Sequence, residues 1–193
     1  VCLLPIVAGF VGADTMACVL ATRIYESEEI RALVDIGTNG EVIMGRKGRL
    51  MACSAPAGPA LEGAQVRHGM RGAMGAIEKV YIDDDVTCGI IGDTPAIGIC
   101  GSGLIDACAK LVESGVMETS GRFLRKGREN LPEALQARFS DTAGGIEFAL
   151  VDKEKSGKDE AITVTQSDIR QIQLAKSAIF SGIAMLQKVM EVS

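Results

Sequence analysis

ALVDIGTNGEVIMG, residues 32–45, runs apolar up to a single acid, turns on TNG, and leaves as a second apolar strand. It reads as two strands, and the first looks buried on both faces. A lone carboxylate there is expensive, so Asp35 is expected to have a partner: backbone donors, a basic side chain, or a metal ion with its waters. Two accounts of the turn stand side by side. Asn39-Gly40 is a strong signal for a two-residue hairpin and needs no ligand. Alternatively, Gly37 clears the space above the turn, so that the N–H groups of Gly37 to Gly40 and the Thr38 hydroxyl can face an anion. Asp35 would then hold a hydrated Mg²⁺ beside it.

Outward from this stretch, Arg31–Ile36, Glu41–Arg46 and Leu50–Ser54 form a meander joined by TNG and RKGR. Upstream, the apolar opening VCLLPIVAGFVGADTMACVLAT contains Pro5, two glycines and Asp14. That pattern opposes a signal peptide or spanning helix and predicts a buried loop followed by a helix over Ala13–Thr22. Downstream, Pro59 sits in the first turn of a short helix. Ile77–Ile82 and Val86–Ile91 make a hairpin around DDD, and Ile97–Ile99 is a short strand running into Gly-Ser-Gly. Ser102–Glu113 has helical apolar spacing and ends at Gly115 as C-cap. Residues 116–161 are less regular, with a short helix near Leu131–Phe139, a strand near Ile146–Val151 and a solvated loop, DKEKSGKDE. TQSD then opens a long helix, with Thr165 as N-cap and Asp168 as its capping-box partner. Ile169, Ile172, Ala175, Ile179, Ile183 and Leu186 give that helix one apolar face.

The 193 residues fit one large domain or one lobe of a longer enzyme, and a 47% hydrophobic content promises a sizeable core. The net charge of −5, with no evident basic stripe, argues against nucleic acid. Six cysteines (Cys2, Cys18, Cys53, Cys88, Cys100, Cys108) show no CxxC pair and stand beside one histidine, so neither a zinc site nor a disulfide framework is indicated. Mostly buried thiols in a reducing cytoplasm are expected. The start without Met suggests a piece of a longer protein.

A second glycine loop, GICGSGLIDACAKL (98–111), places Gly101-Ser102-Gly103 between strand and helix, where free N–H groups can meet an anion. Tight strand-to-helix packing explains the same glycines. It is neither a P-loop nor a complete GxGxxG, because Asp106 stands where the third Gly would be; Asp106 suits the positive end of the helix dipole. His68 lacks a nearby cysteine or carboxylate at a useful spacing. Arg67 and Arg71 are expected to be solvated, with contact to an acidic partner or phosphate as the alternative, and Glu62 either faces the site or caps neighbouring backbone.

DIGTNGE (35–41), ACSAPAGPALEGA (52–64), GMRGAMGAIE (69–78), GICGSGLID (98–106) and TQSDIRQIQLAKSAI (165–179) occur together and in this order. In this the chain resembles the reductive activators of corrinoid proteins. These are ATP-dependent iron–sulfur proteins that restore Co(I) in corrinoid-dependent methyl transfer. The resemblance covers nearly the whole chain.

It implies an α/β fold: a ribonuclease-H-like lobe of the acetate kinase, sugar kinase, chaperone and actin superfamily. Residues 1–193 would form a single ATPase-type lobe with a less regular insertion at about 116–161. DIGTNGE would be the second phosphate loop, placing Asp35, Gly37, Thr38, Asn39 and Gly40 by the phosphates and Mg²⁺ of ATP or ADP. Asp35 would be catalytic and would reach the metal through water. Gly101, Ser102 and Gly103 would lie near the same cleft. The implied [2Fe–2S] cluster belongs to a domain absent from this chain. The first phosphate loop and the adenosine loop are also missing, so an isolated lobe would be inactive. The implied partners are a corrinoid protein or corrinoid-dependent methyltransferase and a sister ATPase lobe, in the cytoplasm, with a homodimer left open.

Two other readings remain. In an activator of a 2-hydroxyacyl-CoA dehydratase system, Cys100 would ligate a [4Fe–4S] cluster bridging two subunits. In a non-catalytic docking module, the glycine loops would serve packing alone.

Overall fold

The protein was analysed as a computed structural model, which describes residues 3–192. In chain order the elements are α1 (Ala13–Thr22), β1 (Arg31–Ile36), β2 (Gly40–Arg46), β3 (Arg49–Ala55), β4 (Ala76–Ile82), β5 (Val86–Ile90), β6 (Gly98–Ile99) and α2 (Gly101–Glu113). There follow α3 (Glu133–Ala137), β7 (Phe139–Thr142), β8 (Gly145–Val151), β9 (Ile162–Thr165) and α4 (Gln166–Met190). The described residues fall into two compact units: those up to Gly58 together with those from Leu174, and Pro59–Gln173. Each is described by itself.

The first unit is built on the antiparallel meander β1-β2-β3. Strand alternation sends successive side chains to opposite faces, so the sheet has two different apolar sides. Val34, Val42, Met44, Met51 and Cys53 pack against Ile179, Ile183, Leu186 and Met190 of α4. Leu33, Ile43 and Leu50 pack against Val19 of α1 and Ile24. The sheet is therefore a middle layer, which explains why β2, at its centre, is nearly continuous apolar text. β1 is different. It is an edge strand and only partly covered, Asp35 included. The expectation of a first strand buried on both faces fails because strand order, which local sequence does not encode, puts β1 outside.

The opening segment also departs from expectation. It precedes α1 as foreseen, but it is not buried: Leu3, Ile6, Val7 and Phe10 are exposed. Cys2 lies outside the described residues.

The second unit holds two small sheets, β5-β4-β6 with β4 parallel to β6, and the antiparallel β7-β8-β9. One core joins them: Ile77, Val80 and Ile99 meet Leu104 and Leu111 of α2, Phe123, and Phe148 and Val164 of the second sheet. β7 and β9 were not legible as strands, the first because Ser-Asp-Thr is polar and exposed, the second because its four residues run straight into α4. Gly115 closes α2 with φ +74° and donates its N–H to the Val112 carbonyl at 3.1 Å, as a C-cap glycine does.

At the start of α4 the reciprocal cap is present. Asp168 Oδ2 accepts the Thr165 N–H at 2.9 Å, and Thr165 Oγ1 accepts the Asp168 N–H at 3.1 Å. Asp168 Oδ1 also accepts the Arg67 N–H at 3.0 Å, so the cap ties a loop to the helix as well.

Candidate functional site

The β1–β2 turn carries the first candidate site. Ile36 pairs with Gly40, so the turn consists of Gly37, Thr38 and Asn39, one residue longer than the Asn39-Gly40 signal implies. Neither Asn39 nor Gly40 has positive φ, which a two-residue type I′ turn would require. The Gly37 N–H donates to the Asn39 carbonyl at 3.0 Å, so that amide is spent inside the turn. The Gly58 N–H donates to the Thr38 carbonyl at 2.9 Å and pins the segment after β3 against the turn. Gly40 is glycine for a packing reason: a Cβ there would come within 2.6 Å of Ile179 Cγ1 on α4.

Asp35 and Glu41 stand directly opposite each other in the β1–β2 register, and Ser54 continues the row on β3. Glu41 accepts the Ser54 hydroxyl at 3.0 Å. The Asp35 carboxylate has no hydrogen bond or ion pair among the described residues. Partial exposure on an edge strand lets water solvate it, which is why it can stand without the internal partner expected of it. Two carboxylates facing across an antiparallel pair repel, and a hydrated divalent cation is the species that relieves such repulsion. No group of three or more potential ligands occurs among the described residues. A cation here would therefore draw most of its shell from water and a bound anion, as Mg²⁺ commonly does. Glu41 was not singled out from the sequence, although the register of an antiparallel hairpin places it opposite Asp35.

The Gly101-Ser102-Gly103 loop lies in the second unit, at the first turn of α2. Its glycines are required by close backbone contact: a Cβ on Gly101 would collide with the Leu61 carbonyl, and one on Gly103 with the Ile77 carbonyl. Asp106 is not a dipole partner alone, since its Oδ2 accepts the Val80 N–H at 2.6 Å, beside the irregularity in the β4–β5 register. Cys100 is buried, its thiol lying 3.3 Å from the Ile77 carbonyl it donates to and 3.2 Å from Ser102 Oγ. That geometry turns the sulfur inward and does not favour a cluster shared between subunits. Cys88 and Cys108 are pushed up to about 11 and about 12 by burial, which keeps them as thiols, although only Cys100 among the described cysteines is fully buried.

His68 is 2% exposed, and neither ring nitrogen has a hydrogen-bond partner among the described residues. The carboxylate not evident from spacing comes from far along the chain: Glu160 Oε1 lies 3.8 Å from Nδ1. Burial lowers the His68 pKa, with Glu160 opposing the shift. Arg67 keeps a side chain 45% exposed and also pairs with Glu147, a mostly buried carboxylate on β8, which is the acidic partner of the alternative reading. Glu62 closes the short helical turn Pro59–Glu62.

A family model described as the C-terminal, ASKHA domain of RACo matches residues 29–193. The chain belongs to this family. This ASKHA domain is 38% identical over 187 residues to the corrinoid activation enzyme RamQ of Eubacterium limosum, covering 96% of this chain and 31% of that protein. It is 30% identical over 178 residues to a [Co(II) methylated amine-specific corrinoid protein] reductase of Methanosarcina barkeri, covering 80% of this chain and 31% of that one. The structure of a reductive activator for corrinoid, iron–sulfur protein superposes with a TM-score of 0.88 at 38% identity, over 98% of this chain and 30% of that chain. The chain thus spans about a third of the length of the relatives it matches, and the expected superfamily and mixed α/β fold are borne out. No helix among the described residues is long and apolar enough to cross a membrane.

Proposed function

We propose that this ASKHA domain is the nucleotide-binding lobe of an ATP-dependent reductive activator that returns a corrinoid protein from Co(II) to Co(I). The observation that carries the reading is the match of the whole domain, at 0.88 TM-score and 38% identity, to a reductive activator for corrinoid, iron–sulfur protein. Mg-ATP supplies the free energy when bound. The chain's own residues bind and orient it: Asp35 holds a magnesium-bound water, and Gly37, Thr38, Asn39 and Gly40 border the phosphates. Glu41 adds a second carboxylate next to Asp35 and raises the local preference for a divalent cation. Gly101, Ser102 and Gly103 enter only as amide donors at the head of α2; packing already accounts for their being glycine.

In this reading residues 1–193 serve as one ATPase-type lobe of a cytoplasmic protein whose [2Fe–2S] cluster sits elsewhere in its chain. The partner is a corrinoid protein or corrinoid-dependent methyltransferase. A sister ATPase lobe completes the nucleotide site, and a homodimer is compatible with it. The test is a backbone amide NMR titration with Mg-ADP to millimolar concentration. Shifts concentrated at residues 37–41 and lost in Asp35→Ala are expected. Their absence in this chain and in a longer chain carrying the sister lobe would overturn the nucleotide assignment.

A further inference from the structure

The segment 118–126 and the first turns of α4 enclose an open cavity of about 590 Å³ in the second unit, a size typical of small-ligand sites, which run from roughly 300 to 1,000 Å³. Arg122, Arg125, Lys126 and Arg170 line it against a single carboxylate, Glu118. Arg122, Arg125 and Lys126 form none of the ion pairs found among the described residues. Glu118 is itself held by the Ser120 hydroxyl at 3.0 Å, and Arg170 donates to the neutral side chain of Gln173. Four cations thus crowd one hollow of a protein whose net charge is −5. Arg122, Arg125 and Lys126 stand together in the sequence, and Arg170 joins them only through the fold.

The frame that presents these charges is fixed. Gln166 Nε2 donates to the Gly121 carbonyl at 2.7 Å, and its Oε1 accepts the Phe123 N–H at 3.2 Å. Gln173 Nε2 donates to the Ser120 carbonyl at 2.9 Å. Two glutamines of α4 therefore staple the loop down, and Phe123, 1% exposed, anchors it in the core. Arg128, next along, is already committed to Asp141 at 3.0 Å and to the Phe139 ring at 4.3 Å. The contrast separates an arginine serving the scaffold from Arg122 and Lys126, which are left open, and from Arg125, which feels Asp141 without forming an ion pair with it. Guanidinium forks at fixed positions match the oxygens of phosphate and carboxylate groups.

We propose that this cavity binds a small-molecule polyanion carrying two or more phosphate or carboxylate groups. The lining residues all belong to the second unit. Calorimetric titration of the whole chain with tripolyphosphate, and separately with citrate, in magnesium-free, low-salt buffer tests it and tells phosphate from carboxylate. One of the two is expected to bind at unit stoichiometry. Arg122→Gln/Lys126→Gln should weaken it about tenfold and Arg125→Gln about two- to fivefold, in line with the modest strength of exposed charge pairs. Asp35→Ala should leave it unchanged. The Arg122, Arg125 and Lys126 side chains are exposed, and circular dichroism checks that each variant folds. Binding untouched by both cavity variants, or reduced equally by Lys153→Gln/Lys155→Gln, two lysines that do not line the cavity, would overturn the proposal. So would silence toward both anions while a pentaglutamate peptide binds, which would make the hollow a dock for an acidic segment.

Discussion

Asp35 and Glu41 put two carboxylates side by side with no cation between them in the chain itself. Removing one charge should therefore stabilise the metal-free protein: Glu41→Gln is expected to raise unfolding stability by about 0.5 kcal/mol, as relief of a directly opposed like-charge pair does. Urea denaturation in EDTA measures this, and a loss of stability would mean that Glu41 matters through its bond to Ser54. His68 offers a second test at this scale. Burial holds its folded pKa below the ordinary 6.5, so under that pH the unfolded chain takes up a proton that the folded chain resists. Stability should fall as pH drops through 6.5, by about 1 kcal/mol between pH 7.5 and 5.5. His68→Leu, which also removes two unpartnered nitrogens, should flatten that slope. The place of Asp35 near the end of an apolar strand was legible in the sequence. Its exposure was not, because sheet order decides it, and His68 meets the Ile99 N–H at its carbonyl and Glu160 near its ring, both far away in the chain.

The helix starts are where local sequence spoke most clearly, and where it omitted the other half of the contact. TQSD announced the α4 cap correctly, but the Arg67 N–H that also rests on Asp168 comes from another loop. Asp168→Ala should thus cost more than a surface cap, about 3 kcal/mol, because loss of capping adds to stranded buried donors. Thr165→Val should cost about 1 kcal/mol. At α2, GSG left phosphate binding and packing equally open, since both ask for glycine. The Ile77 carbonyl against Gly103 decides for packing as the reason, and Gly103→Ala is expected to cost about 3 kcal/mol through overpacking. Thermal unfolding of the three variants ranks them. A Gly103→Ala protein as stable as wild type would show that α2 can slide without penalty.

At the scale of the whole molecule, the meander, both glycine loops and all but two of the strands were readable, whereas the partition into units was not. It depends on which surfaces a helix ends up covering. The core of the second unit is made only of residues between Ala60 and Ile172, so a chain of residues 59–173 is expected to unfold cooperatively by itself. Residues 1–58 should not, because one side of their sheet needs Ile179, Ile183, Leu186 and Met190. Circular dichroism and urea melts of the two pieces check both statements. The same arrangement bears on the protein's birth at the ribosome. The β1-β2-β3 sheet emerges early with Val34, Val42, Met44 and Met51 uncovered, and it stays so until everything up to α4 has been translated. During that interval a nascent chain carries a sticky, half-finished surface, and holding chaperones should find their best grip there.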